Sequence, residues 1–225
     1  MACVRDGQEA EYRDLTRAFG EWSDRNCLLL NTDKTKEMVV DFRRKKPTPL
    51  QPVNVRGTDI EQVESYKYLG VHLDENLDWA RNTDAVYKKT QSRLYFLRRL
   101  RSFDVCSRML YMFYQSAVAS VLFYAVACWG GSLMDKDAKR LNKVVKRAGS
   151  VLGAGLDPLE TVMERCTRNK MRAIMDNASH PLHQTFDGQK SDRKDMFRSF
   201  PSRNDRLKFT FVPTAIRLFN STASR

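Results

Sequence analysis

The chain has 225 residues, enough to bury a core and, by length alone, compatible with one domain or two small ones. With 42% hydrophobic and 29% charged residues, its composition excludes a fibrous repeat or a wholly disordered chain. A net charge of +12 and a pI near 9.6 make nucleic acid the first partner to consider, because lysines and arginines unmatched by acids seek phosphate.

The basic residues are clustered at Arg43–Lys46, Lys88–Arg101, Lys139–Arg147 and Lys190–Lys208, unlike an evenly solvated surface. The five cysteines, Cys3, Cys27, Cys106, Cys128 and Cys166, are widely spaced and form no CxxC pair or zinc-knuckle pattern. Their odd number, with no signal peptide, points to a reducing interior, cytoplasm or nucleus. The longest apolar run, around Ala117–Trp129, is broken by Ser120 and reads as a buried helix, so no membrane is expected as a partner.

In chain order, Tyr12, Leu15, Phe19 and Trp22 repeat at helical spacing between Gln8 and Asn26. This predicts a helix with that stripe against a core and Glu9, Glu11, Arg13 and Arg17 in water. Leu28–Asn31 and Glu37–Phe42 predict two strands of a hairpin about a turn at Thr32–Lys34. The segment from Arg43 to Pro52 is charged and proline-rich, an exposed loop. Val53–Val55 and Gly57 continue the sheet, and Ile60–Val63 lead into a strand through Tyr66, Tyr68, Leu69 and Val71 that Asp74–Asn76 end. Gly70 in that strand permits close approach of another backbone or a nucleic-acid strand.

Beyond Trp79 the pattern becomes helical, with Val86, Leu94, Leu97 and Leu100 on one side and Lys88, Lys89, Arg93, Arg98, Arg99 and Arg101 forming a cationic face. Aromatic residues interleave with these cations as in surfaces that stack bases. Trp79 and Phe96 are assigned to the core, and Tyr68 and Tyr87 fit either role. Val105–Ala127 is apolar around most of a helix circumference and should be the central helix of a bundle, stopped at Gly130–Gly131. Asp135–Leu152 runs from acidic to basic, as a helix dipole favours, with Leu141, Val144, Val145 and Ala148 as its buried stripe. Another helix starts at Pro158 and ends near Asn177. From Ser179 to Asn204 the apolar pattern fails and poor order is expected. Order returns at Phe209–Phe211, and Pro213 opens a last helix through Ile216, Leu218 and Phe219. The expected fold is α+β, mostly α: a small antiparallel sheet of about four strands in residues 1–78, a helical bundle in 79–178, and a basic, partly disordered C-terminal region in 179–225.

Four segments, in order, resemble one family. They are WSDRNCLLLNTDKTKEMVVDF (Trp22–Phe42), KYLGV with the following LDW and basic helix, VLFYAVACWGGS (Val121–Ser132), and RLKFTFVPTAIRLFN (Arg206–Asn220). Together they resemble the region after the catalytic palm strands in reverse transcriptases of LINE-type (non-LTR) retrotransposons, over nearly the whole chain. The resemblance implies that the small sheet is a palm remnant, that Tyr68 and Gly70 lie on a primer-grip-like strand, and that the basic helix opens a thumb.

It also implies that Lys34 or Lys36, in the N-x-x-K-T-K arrangement, contacts leaving pyrophosphate, where an ammonium offsets developing charge. Two solvated turn lysines are the alternative. In that family an aspartate pair that holds magnesium lies shortly before a segment like CVRDGQEAEY. Here the chain starts at Met1-Ala2-Cys3, which predicts an N-terminally truncated piece with no cofactor of its own, magnesium belonging to the intact parent, and no polymerase activity alone. The expected function is salt-sensitive, largely sequence-independent binding of RNA or RNA–DNA duplex through Tyr68, Gly70, Lys88, Lys89, Arg93, Arg98, Arg99 and Arg101.

Residues 66–112 also resemble the N-terminal segment of the alkylated-DNA-repair AlkB homologue 8 family, which would imply a 2-oxoglutarate dioxygenase or a methyltransferase. His72-Leu73-Asp74 has the H-x-D form of an iron triad, with His180 or His183 as third ligand. Such an oxygenase needs a barrel of about eight strands, whereas helices occupy the chain between His72 and His180, so this metal site is disfavoured. A methyltransferase needs a glycine-rich loop after a strand; Gly130-Gly131 and Gly153-Ala154-Gly155 follow helices and read as caps. The three histidines offer no base for a serine or cysteine nucleophile, and the scattered Asp33, Asp41, Asp74 and Asp78 do not replace the missing pair. A third class remains, a non-catalytic helical interaction protein.

Overall fold

A computed structural model describes residues 9–41, 51–191, 196–199 and 205–223. The basic cluster Arg43–Lys46, most of the proline-rich loop, residues 1–7 and parts of the basic cluster Lys190–Lys208 lie outside the described residues. The chain divides into two compact units, Met1–Leu77 and Asp78–Arg225.

The first unit opens with α1, Glu9–Arg25, which carries Glu9 and Glu11 in its first turn and Arg25 in its last, as the helix dipole favours. Its apolar stripe does not face a core. Leu15 is 61% exposed, Phe19 53% and Trp22 46%, while Gly20 and Ser23 are the buried positions. The Ser23 hydroxyl donates to the Leu28 carbonyl at 2.7 Å as the backbone reverses after the helix. The expected hairpin of Leu28–Asn31 with Glu37–Phe42 is also absent from the described residues. Asn31 draws the chain into a turn, its side chain accepting the Lys34 N–H at 3.0 Å and its carbonyl accepting the Thr35 hydroxyl at 2.8 Å. Glu37 then bridges Gln62 in the parallel sense, through Glu37 N–H to Glu61 O at 3.0 Å and Val63 N–H to Glu37 O at 2.8 Å.

Among the described residues the sheet content is two separate antiparallel ladders, β1 (Asn54–Val55) with β2 (Thr58–Asp59) and β3 (Ser65–Tyr68) with β4 (Val71–Asp74). Each is closed by two residues with positive φ, Arg56 and Gly57 at 53° and 80°, Leu69 and Gly70 at 47° and 86°. That backbone twist matches paired strands in a tight hairpin. Gly70 is therefore a turn residue, and the strand expected to run through it is two strands.

The second unit is helical: α2 (Ala80–Ser102), α3 (Ser107–Phe113), a π turn (Tyr114–Ala119), α4 (Ser120–Leu122), α5 (Val126–Trp129), a 3-10 turn (Gly130–Ser132), α6 (Asp135–Leu152), α7 (Leu159–Met175), α8 (His183–Asp187), α9 (Asp205–Lys208) and α10 (Phe211–Ala223). One core gathers Leu94 and Leu97 of α2, Leu110 of α3, Tyr114 and Val118 of the π turn, and Val144, Ala148 and Leu152 of α6. Burial pushes the Tyr114 hydroxyl pKa up to about 12. Another core joins Met171 and Ile174 of α7 to Phe186 of α8, Phe197, and Ala215 and Ile216 of α10. Part of the segment expected to be poorly ordered thus contributes a helix and two buried rings. Asn220 holds Phe197 from both sides, accepting its N–H at 3.0 Å and donating to its carbonyl at 2.8 Å.

The expected single central helix is broken. Ser107–Ser132 is long and apolar enough by length and composition to cross a membrane, with 33% of its most apolar window buried. Its path passes through the π turn and a left-handed Ala125 with φ 51°. Gly130 is the C-cap of α5, as expected, but with a right-handed φ of −64°, and the chain runs on through the 3-10 turn. A Cβ on Gly130 would lie 2.7 Å from Met163 Cγ, and one on Gly131 2.8 Å from the Phe209 carbonyl, so both allow neighbouring chain to approach. Gly153, at φ 68°, does cap α6 as expected.

Candidate nucleic-acid interface

A helix of 3.6 residues per turn places residues three, four and seven apart on one face. Thr83, Thr90, Leu94 and Leu97 of α2 face inward and are buried. The opposite side carries Lys88, Tyr95 and Arg99 in one row, with Lys89 and Phe96 in the next. All five are exposed. The six cations therefore do not share a single face. Arg98 lies exposed on one flank and Arg101 at the last turn, whereas Arg93 turns the other way and donates to the Ala117 carbonyl at 2.5 Å. Ala117 belongs to the π turn, whose wider winding redirects backbone carbonyls; Arg93 holds that turn.

Lys88, Lys89, Arg98, Arg99 and Arg101 make no ion pair among the described residues. No acidic residue occurs between Ala85 and Phe103. The nearest on the helix, Asp84, is taken by Arg140 of α6 at 2.5 Å. The same guanidinium lies 3.8 Å from the centroid of the Tyr87 ring, and the hydrogen bond it donates to Asp84 raises its pKa further. Tyr87 thus packs at the α2–α6 seam, half-buried. Phe96, assigned to the core from its spacing, is 54% exposed and meets Tyr95, itself 58% exposed, edge to face at 5.6 Å. Phe103, just past the helix and 66% exposed, receives the Arg99 guanidinium at 5.2 Å. Phe103 was not singled out from sequence, although it stands four residues after Arg99. The α6 helix adds exposed Lys139, Lys143, Lys146 and Arg147.

The remaining candidates lie elsewhere. Tyr68, exposed, and Gly70 belong to the β3–β4 hairpin of the first unit. Lys34 is exposed in its turn, and Lys36 is paired to Glu61 at 2.5 Å, which occupies the charge a pyrophosphate would need. His72 and Asp74 are on β4, and one Asp74 oxygen accepts the Asn76 N–H at 3.1 Å. His180 uses Nδ1 for the Leu182 N–H at 3.1 Å, and His183 Nδ1 is 3.1 Å from the Ile174 carbonyl. His180 is thus committed to its own turn and His183 to the end of α7. Asp78 caps the start of α2 at Ala80 N–H, 2.8 Å. Among the described residues no group of three or more His, Cys, Asp or Glu is placed to hold a metal ion, and these turn-capping carboxylates do not fit magnesium.

The family described as Alkylated DNA repair protein alkB homolog 8, N-terminal, matches residues 79–120, which run from the start of α2 into α4 and contain no histidine. A probable RNA-directed DNA polymerase from transposon X-element of Drosophila melanogaster is 24% identical over 153 residues, 67% of this chain and 16% of that protein. The probable RNA-directed DNA polymerase from transposon BS of the same species is 27% identical over 111 residues, 48% of this chain and 12% of that protein. The chain thus spans less than a fifth of the length of these relatives. No solved structure matches it. It is distantly similar to one part of transposon RNA-directed DNA polymerases.

Proposed function

We propose that this chain corresponds to the part of a LINE-type reverse transcriptase that follows the polymerase centre, with the second unit as its thumb, and that it binds RNA or RNA–DNA duplex largely without regard to sequence. The observation that carries the proposal is the row of exposed, unpaired cations on α2, with acids excluded from the same stretch and more cations on α6. Such a surface gains affinity by displacing counterions from phosphates, which any sequence supplies. The similarity to transposon polymerases supplies the kind of partner.

Binding, not polymerisation, is the activity proposed for this chain: its exposed cations suit phosphate, and Asp74 and Asp78 accept backbone N–H groups at turns. In this reading magnesium is held by other residues of an intact polymerase, and the protein acts where its nucleic acid is, in cytoplasm or nucleus. The match at 79–120 falls on helices without a histidine, so it brings no oxygenase centre with it.

The test is affinity for a fluorescent RNA–DNA hybrid across a salt series, for the wild type and for a variant with Lys88, Lys89, Arg98, Arg99 and Arg101 changed to Gln. The wild type should lose affinity steeply with salt. The variant should bind more weakly, with the log–log slope shallower by about one for each phosphate contact removed. No binding at low salt removes the proposal, and unchanged binding by the variant moves it to another surface.

A further inference from the structure

The outer strip of α2 carries more than charge. Three rings, Tyr95, Phe96 and Phe103, are each more than half exposed and lie among Lys88, Lys89 and Arg99. We infer that this strip takes unpaired nucleotides, bases stacking on the rings while the cations follow the phosphates. The inference rests on the nucleic-acid reading above and specifies which form of nucleic acid this surface takes.

Three observations support it. First, a duplex presents phosphate and sugar outward and covers its base faces by stacking, so cations alone suffice to hold it; ring faces are complementary to base faces, which only unpaired strands offer. Second, the rings are not spent on each other. Tyr95 and Phe96 meet edge to face with planes 74° apart, an arrangement that leaves ring surface open, and both remain exposed. Arg99 over Phe103 joins a guanidinium plane to a ring, a combined platform for a base and its phosphate. Third, the strip is free of carboxylates from Ala85 to Phe103, so a polyanion meets no acid of α2 along roughly 27 Å of helix. An apolar protein partner would leave those cations unmatched.

The experiment compares, by fluorescence anisotropy with the full chain, a blunt RNA–DNA hybrid, the same hybrid with a single-stranded tail, and the tail strand alone. The tailed hybrid should bind about tenfold more tightly than the blunt one, the scale of stacking one or two bases. Changing Tyr95, Phe96 and Phe103 to Ala should bring the tailed hybrid to the blunt affinity and leave the blunt affinity unchanged, while the exchange Tyr95→Phe with Phe96→Tyr keeps the preference. Equal binding of tailed and blunt hybrids by the wild type overturns the inference but leaves the charge-based reading standing; absence of binding to all three sinks both. A wild-type dimer that the Ala variant splits would assign the strip to a second copy and also overturn it. Should the Ala variant fail to fold by circular dichroism, the wild-type ratio of tailed to blunt affinity decides alone.

Discussion

Helices α1 and α6 carry the same kind of apolar stripe and meet opposite fates. In α6, Leu141, Val144, Val145 and Ala148 are buried as the pattern predicts, packed within the second unit. In α1, Leu15, Phe19 and Trp22 recur at helical spacing, yet all three are exposed and Phe19 and Trp22 stack on each other at 5.7 Å. A helical period states which side of a helix would gain from burial, at roughly 25 cal/mol per Å² of apolar area. It does not state whether a surface is there to receive it. The second unit supplies one through α2, α3 and the π turn; among the described residues nothing covers the α1 stripe to the same degree.

The largest expected effect tests the buried stripe. Leu141→Ala should destabilise the second unit by about 2–5 kcal/mol, the cost of deleting a fully buried leucine side chain, read as a shift of the urea midpoint. A loss below about 1 kcal/mol would mean that this core is loosely packed. Next comes a contact that only packing reveals. Gly131→Ala should cost about 1–3 kcal/mol, because its Cβ would lie 2.8 Å from a backbone carbonyl that cannot swing aside, and thermal unfolding should show it.

Smaller again is the difference between two arginines of α2. Arg93→Gln should cost about 1–2 kcal/mol of stability through loss of the guanidinium bond to Ala117 O, with little effect on nucleic-acid affinity. Arg99→Gln should do the reverse, and the pair measured by unfolding and by anisotropy separates a structural cation from a binding one. The smallest effect is expected at α1, where Phe19→Ala should change stability by no more than about 0.5 kcal/mol. A larger loss there would show that the stripe is covered in solution, by a second copy or another part of a longer protein, and would erase the contrast with α6.

Much of the architecture was legible. The bounds of α1, α6 and α7 follow from periodicity, the acidic start of α6 and the glycine at its end, since these are local preferences of helix geometry and dipole. The mostly helical character, the small antiparallel sheet content and the basic helix after Trp79 were equally readable. Composition and charge pointed toward nucleic acid, the four ordered motifs resemble transposon reverse transcriptases, and the distant similarity to two transposon polymerases agrees.

Tertiary structure decided the rest, for one physical reason: non-local partners were needed. Leu28–Asn31 and Glu37–Phe42 each look like strands, but Glu37 finds its backbone partner at Gln62, and Asn31 closes a turn instead. The strand through Gly70 becomes a hairpin because Leu69 and Gly70 both take positive φ. On α2 the sequence supplied six cations in one run, and only the packed bundle separates Arg93, bound to the π turn, from the exposed Lys88, Lys89 and Arg99 and the rings among them. Charge and period are properties of a segment and can be read from it; which of its faces meets protein and which meets solvent is set by neighbours distant in the chain.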